Sequence, residues 1–206
     1  MLPRTEPPTP KGRYYELRAR GLREFAGLKR DDERLDPFDL ARAAGLLVAP
    51  FDQIAPLLTP ETREHLLGDG SGNWSGGAAS HVLPDGRKLI ILNPTHGKTR
   101  QQATLMEEVS HLFYGHTPSR LAIQKKDKNG KVVARDYNNE IEEEAYSTGA
   151  AALVPFTALA RMVSAGRTIK EIAKHFGVSP ALVEFRIKIS KLWDNYAANV
   201  FSGDDR

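Results

Sequence analysis

At 206 residues the chain has room for one domain with a buried core, or for one domain and a small appendage. Its 40% hydrophobic and 27% charged residues are a globular balance, and a net charge of only +3 is not the concentrated basicity of a dedicated nucleic-acid binder. With no cysteine, disulfides, thiolate nucleophiles and thiolate ligands are excluded, so any metal must be held by His, Asp or Glu.

Residues 1–12, MLPRTEPPTPKG, are Pro-rich and polar and read as a flexible arm without the apolar core of a secretory leader. No apolar run approaches the ~18 to 20 residues of a membrane span, so the expectation is a cytoplasmic protein with no membrane partner. A helical pattern runs from Tyr14 to about Arg30, with Leu17, Leu22 and Phe25 on one face. LDPFDLARAAGLLV predicts a second helix, with Asp36 as N-cap, Pro37 at the first helical position and Gly45 at its end. LVAPF follows as a short strand, and TPETREHLL as a short helix capped by Thr59. After the loop GDGSGNWSGG, Pro84-Asp85-Gly86 marks a β-hairpin whose second strand, KLIILN, is largely buried. A helix then spans about Thr99 to Tyr114 and stops near Gly115 and Pro118. IQKKDKNGKVVARDY reads as another hairpin, turning at Lys128-Asn129-Gly130 and overhanging any cleft beside it. A third long helix spans about Asn138 to Leu153, and the remainder is helical.

The helix containing ATLMEEVSHLFYGH carries the densest chemistry. Glu107 and His111 lie four residues apart and share a face, with Glu108 at its edge. This is the layout of H-E-x-x-H, two metal ligands at i and i+4 with a general-base Glu between them, except that Glu107 stands in the first histidine's place. A carboxylate is a legitimate zinc ligand. Its added negative charge weakens the Lewis acidity of zinc and shifts preference toward Mn, Fe or Mg. On spacing alone the same letters also suit an ordinary charged amphipathic helix. A catalytic site of this type takes three protein ligands. NNEIEEEAYSTG offers Glu140, Glu142, Glu143 and Glu144 at the edge of an apolar run, with a solvated acidic face as the competing reading. His116 lies beyond Gly115, off the ligand face, and reads as a residue behind the ligands or at the surface. His65, His81 and His96 have no helical partner at ligand spacing and read as loop or surface histidines.

Three segments in this order resemble the ImmA/IrrE family of zinc metallopeptidase-like proteins. LDPFDLARAAGLLV resembles the family's opening helix and strand, KLIILNPTHGKTRQQATLMEEVSHLFYGH its strand, loop and H-E-x-x-H helix, and IEEEAYSTGAAALVP its third-ligand helix. Together they run from Leu35 to Pro155. The resemblance implies an α+β fold: a mainly helical zincin-like domain with a small β-sheet over residues 13–157, then a helical, helix-turn-helix-like segment over 158–206. It implies His111 as a histidine ligand, Glu108 as the catalytic Glu, and Glu142 as third ligand with Glu144 as its nearest rival. Glu107 matches the first ligand position, where this chain departs from the family's pattern. The implied cofactor is zinc, with manganese or another divalent ion, or an empty site, as alternatives. The implied activity is hydrolysis of a peptide bond in a regulatory protein of the transcriptional-repressor type.

TIKEIAKHFGVSPALVEFRIKIS reads as helix-turn-helix: Ile169, Ile172, Ala173 and Phe176 form an apolar face, Gly177 sits in the turn, and Ser179 caps the second helix. In a DNA-reading module the start of that second helix carries base-contacting side chains. Here it offers Pro180, Ala181 and Glu184, with Arg186 and Lys188 further on. Packing of this helical pair onto the peptidase-like body is the equal competitor. The leading reading is therefore a metal-dependent peptidase acting on a protein. The alternative is a regulatory module on the same scaffold, with a weak or empty site, that binds DNA or a protein partner.

Overall fold

The computed structural model describes residues 5–68, 70–116 and 139–200. Helix α1 (Pro10–Phe25) starts earlier than the apolar pattern indicates, because the Thr9 hydroxyl accepts the Gly12 N–H and Pro10 fills the first turn. Its buried stripe is Tyr15, Ala19, Leu22 and Arg23 rather than the expected Leu17–Leu22–Phe25 face; Leu17 is 65% and Phe25 49% exposed. Arg23 can join that stripe because carbonyl oxygens of Ala152, Arg30 and Glu33 receive its guanidinium at 2.8, 2.9 and 2.7 Å.

Helix α2 (Pro37–Ala43) begins at Asp36, whose carboxylate accepts the Phe38 N–H, and ends where Gly45 turns left-handed at φ 69°. Strand β1 (Leu46–Ala49), helix α3 (Phe51–Ile54) and helix α4 (Pro60–Leu67), capped by Thr59, follow. Strands β2 (Gly76–Val82) and β3 (Lys88–Leu92) are the expected hairpin. The sheet order among the described residues is β1-β3-β2, with β3 parallel to β1 and antiparallel to β2, so β2 is an edge strand.

Helices α5 (Lys98–Phe113) and α6 (Asn139–Leu153) form the closest helix pair. They run antiparallel, since Met106 lies against Gly149 while His111 lies against Glu142. A Cβ on Gly149 would stand 3.2 Å from the backbone of Met106, so the absent side chain is what lets the two helices touch. The hairpin expected over residues 123–137 lies outside the described residues.

Helices α7 (Phe156–Ser164), α8 (Ile169–Phe176), α9 (Pro180–Ile189) and α10 (Trp193–Val200) complete the described chain. A capping box of Thr168 and Glu171 opens α8, Gly177 ends it at φ 68°, and Ser179 caps α9. Leu159, Ile172, Phe176 and Ile187 enter the same core as Leu22, Ile90 and Leu105. The result is mainly helical α+β, as the sequence implies. Among the described residues no helix is long and apolar enough to cross a membrane.

Pro155 interrupts the backbone ladder between α6 and α7, and buried side chains take up the loose ends. Arg186, 3% exposed, donates to the Val154 carbonyl at 3.0 Å and pairs with Glu16. The other Glu16 oxygen accepts the Phe156 N–H at 3.1 Å, and Arg23 covers the Ala152 carbonyl. Arg186 is thus a structural side chain, not an exposed one on α9.

Candidate metal centre

The 3.6-residue repeat of α5 turns Glu107 and His111 toward α6, whose first turn carries Glu140 and Glu142. Glu107, His111 and Glu142 each offer a ligand atom within 4.8 Å of the others. The Nε2 of His111 stands 3.2 Å from Oε2 of Glu142. Two donors each about 2.1 Å from a tetrahedral ion stand about 3.4 Å apart, so this pair is already at ligand spacing.

Glu108 lies outside this group of three but beside it. It accepts a backbone hydrogen bond from Ala78 on β2 and feels the charges of Glu142 and Lys88. Burial, followed by the negative charge of Glu142, raises its carboxyl from 4.5 to about 7. Glu107 is also raised to about 7, first by burial and then by Glu108 and Glu142. Three carboxyls crowd here, and two of them are pushed toward their neutral form. A divalent cation is the group that such a donor set accommodates, and an oxygen-rich, cysteine-free set with one imidazole suits zinc or manganese.

Glu143 and Glu144 of α6 turn to partners on α1. Glu143 pairs with Lys11 at 2.7 Å on the α1 side. Glu144, the rival third ligand, pairs with Arg18 and accepts the Tyr14 hydroxyl at 3.0 Å. His116 packs edge-on against His111, with the two Nδ1 atoms 3.3 Å apart, and its Nε2 is 3.6 Å from Glu144. Burial, then His111 and Arg18, holds the His116 imidazole below its ordinary pKa. His65 lies on exposed α4, His81 on the edge strand, and His96 in the loop before α5. Arg18, Tyr14 and the Ala78 amide escape a reading of the sequence, because each reaches the site from a distant element. Tyr114 does so less completely: it adjoins the helix end, and its hydroxyl donates to the Arg18 carbonyl at 2.7 Å.

Comparison with known proteins gives one match. The sequence pattern of the Peptidase M78 family, described as the IrrE N-terminal-like domain, matches residues 69–188. That stretch carries all four candidate residues and reaches past Pro155 into α9; the LDPFDLARAAGLLV segment lies before it. No curated protein and no solved structure matches the chain. The match covers more than half of the sequence, includes both helices that build the acidic centre, and agrees with the mainly helical fold around a small sheet: the chain belongs to the IrrE N-terminal-like family of M78 metallopeptidase-like proteins.

Proposed function

We propose that this chain is a metal-dependent endopeptidase that hydrolyses a peptide bond in a regulatory protein of repressor type. The observation that carries the reading is the 3.2 Å pairing of His111 with Glu142, closed by Glu107 and flanked by Glu108. Glu107, His111 and Glu142 would hold the ion. A divalent ion there supplies Lewis acidity toward the scissile carbonyl. Glu108 takes a proton from the attacking water and returns it to the leaving amine, a task suited to a carboxyl near 7. The Ala78 amide fixes the orientation of Glu108, and the adjoining β2 edge offers backbone groups to an extended peptide. The repressor class of substrate rests on the family alone. The domain division goes with this reading: a peptidase-like unit over 13–157 carrying the site, and a C-terminal segment over 158–206 whose described helices share its core.

The test is Glu108→Gln in zinc-loaded protein, with a labelled unfolded protein as substrate. The variant should keep its zinc and lose hydrolysis by about 10²–10⁴-fold. Equal activity in the two proteins would remove Glu108 from the reaction.

A second reading has one observation in its favour. With Glu107 raised to about 7, a fraction of this ligand is protonated at neutral pH, which weakens the hold on an ion. A regulatory module with an empty site would look the same. Its DNA-binding form is the weaker variant, since burial of Arg186 removes one of the two basic side chains that α9 could offer. Elemental analysis of protein purified without added metal separates the readings: one equivalent of zinc or manganese supports the peptidase, none the regulatory module.

A further inference from the structure

His111 is occupied on both sides of its ring. Its Nε2 faces Glu142, and its Nδ1 faces His116 across 3.3 Å. A neutral imidazole has one N–H and one bare nitrogen. Only a bare Nε2 can hold an ion from this position, so ligation requires the His111 proton to sit on Nδ1. His116 must then offer a bare Nδ1 to receive it, which puts its own proton on Nε2. That nitrogen faces the Glu144 carboxylate at 3.6 Å.

Glu144 is in turn anchored. It pairs with Arg18 and accepts the Tyr14 hydroxyl at 3.0 Å. The Arg18 guanidinium lies over the rings of Tyr114 and Tyr14, at 3.8 and 5.0 Å from their centroids. The arrangement therefore has a direction. In the reverse sense, His111 would carry its proton on Nε2 and lose its ligand atom, while His116 would turn a bare nitrogen toward a carboxylate. Lone pairs would then face one another at the Glu144 end. The forward sense puts a donor against an acceptor at His116 and at Glu144, and the lone pairs meet only between Nε2 and Glu142, where a cation would lie between them.

We propose that His116 and Glu144 are positioning residues that keep the His111 proton on Nδ1 and so deliver Nε2 to a divalent cation. The inference rests on the metal reading above, and it gives Glu144 a different part from Glu142. One acid of α6 stands at the ion; the other, two residues on, holds the ring behind it.

Zinc affinity and ring ¹⁵N NMR of the zinc-loaded protein test this together. His116→Phe keeps an aromatic body but removes both nitrogens. It should weaken zinc binding by about 10–100-fold, the usual range for losing such an outer partner. It should also expose the His111 Nδ1–H signal to fast solvent exchange. His116→Gln supplies one acceptor and one donor and should restore most of the affinity, which a merely structural role would not require. Glu144→Gln should shift affinity in the same direction as His116→Phe. If His116→Phe binds zinc as tightly as the parent, with an unchanged His111 signal, the inference is overturned alone. If His116→Phe does not fold, unchanged zinc affinity in Glu144→Gln overturns it. A parent protein that takes up no zinc overturns the metal reading, and this inference with it.

Discussion

At its C-terminal end α6 runs into two buried arginines; toward its N-terminal end it meets a knot of carboxyls. Both regions bury charge, and they treat it in opposite ways. Arg23 and Arg186 are 6% and 3% exposed, and their donors reach carbonyls of Ala152, Val154, Arg30 and Glu33 and the carboxylate of Glu16. Each charge there is answered by protein groups, and the outcome is a rigid corner between α1, α6, α7 and α9. At the other end Glu107, Glu108 and Glu142 crowd around one imidazole, and two of the three respond by holding protons up to about 7. A buried charge that its neighbours answer is architecture. A buried cluster that pushes its own carboxyls toward the neutral form leaves room for a cation.

The contrast breaks first at the corner. Arg186→Ala would strand Glu16 in a nearly closed environment and should cost about 3–5 kcal/mol in denaturant unfolding. Zinc uptake, at the far end of α6, should not change in the protein that still folds. Loss of zinc binding without loss of stability would mean the two ends are not distinct in kind.

The next effect is on pH. Folded Glu107 and Glu108 keep their protons up to about 7, whereas the unfolded chain releases them near the ordinary value of 4.5. Between these values the folded state binds more protons than the unfolded state, so stability falls as pH rises. The stabilising contribution is complete below about 4.5 and gone above about 7. Urea unfolding of metal-stripped protein should lose on the order of a few kcal/mol between these limits. With saturating zinc the loss should shrink, and zinc uptake at pH 6 should release protons to the buffer. A flat metal-free profile would show that the acids are not in excess.

The smallest effect sharpens the role of Glu107. Glu107→Ala should weaken zinc and cut its stabilising effect by roughly 2–3 kcal/mol if affinity drops about 100-fold. Glu107→His should tighten zinc. Identical melting shifts with zinc in the parent and both variants would exclude Glu107 as a ligand.

Local chemistry was legible in the sequence. Asp36-Pro37, Thr59 and Ser179 cap the helices they were expected to cap, and the turn at Gly86 joins the expected strands. Glu107 and His111 share a helix face because four residues on a helix dictate it. What failed to show was distance in sequence. The parallel pairing of β1 with β3 has no local signal. Neither does the difference in surroundings between Glu142 and Glu144, since it comes from α1 sending Arg18 to Glu144. The α1 face was misread for a related reason. Arg23 joins the buried stripe because carbonyls of Arg30, Glu33 and Ala152, none of them on its own helix, receive its donors.

The touch between Gly149 and Met106 has a mechanical meaning. It is the pivot of a caliper whose jaws are the acids and the imidazole. Glu142 lies seven residues from Gly149, about 10 Å along the helix axis. A tilt of about 5° at the pivot therefore moves the Glu142 backbone by about 1 Å. A shift of that size would take the His111–Glu142 pair off its 3.2 Å spacing, so the pivot has to hold still. A missing methyl group at residue 149 sets the gauge of the jaw.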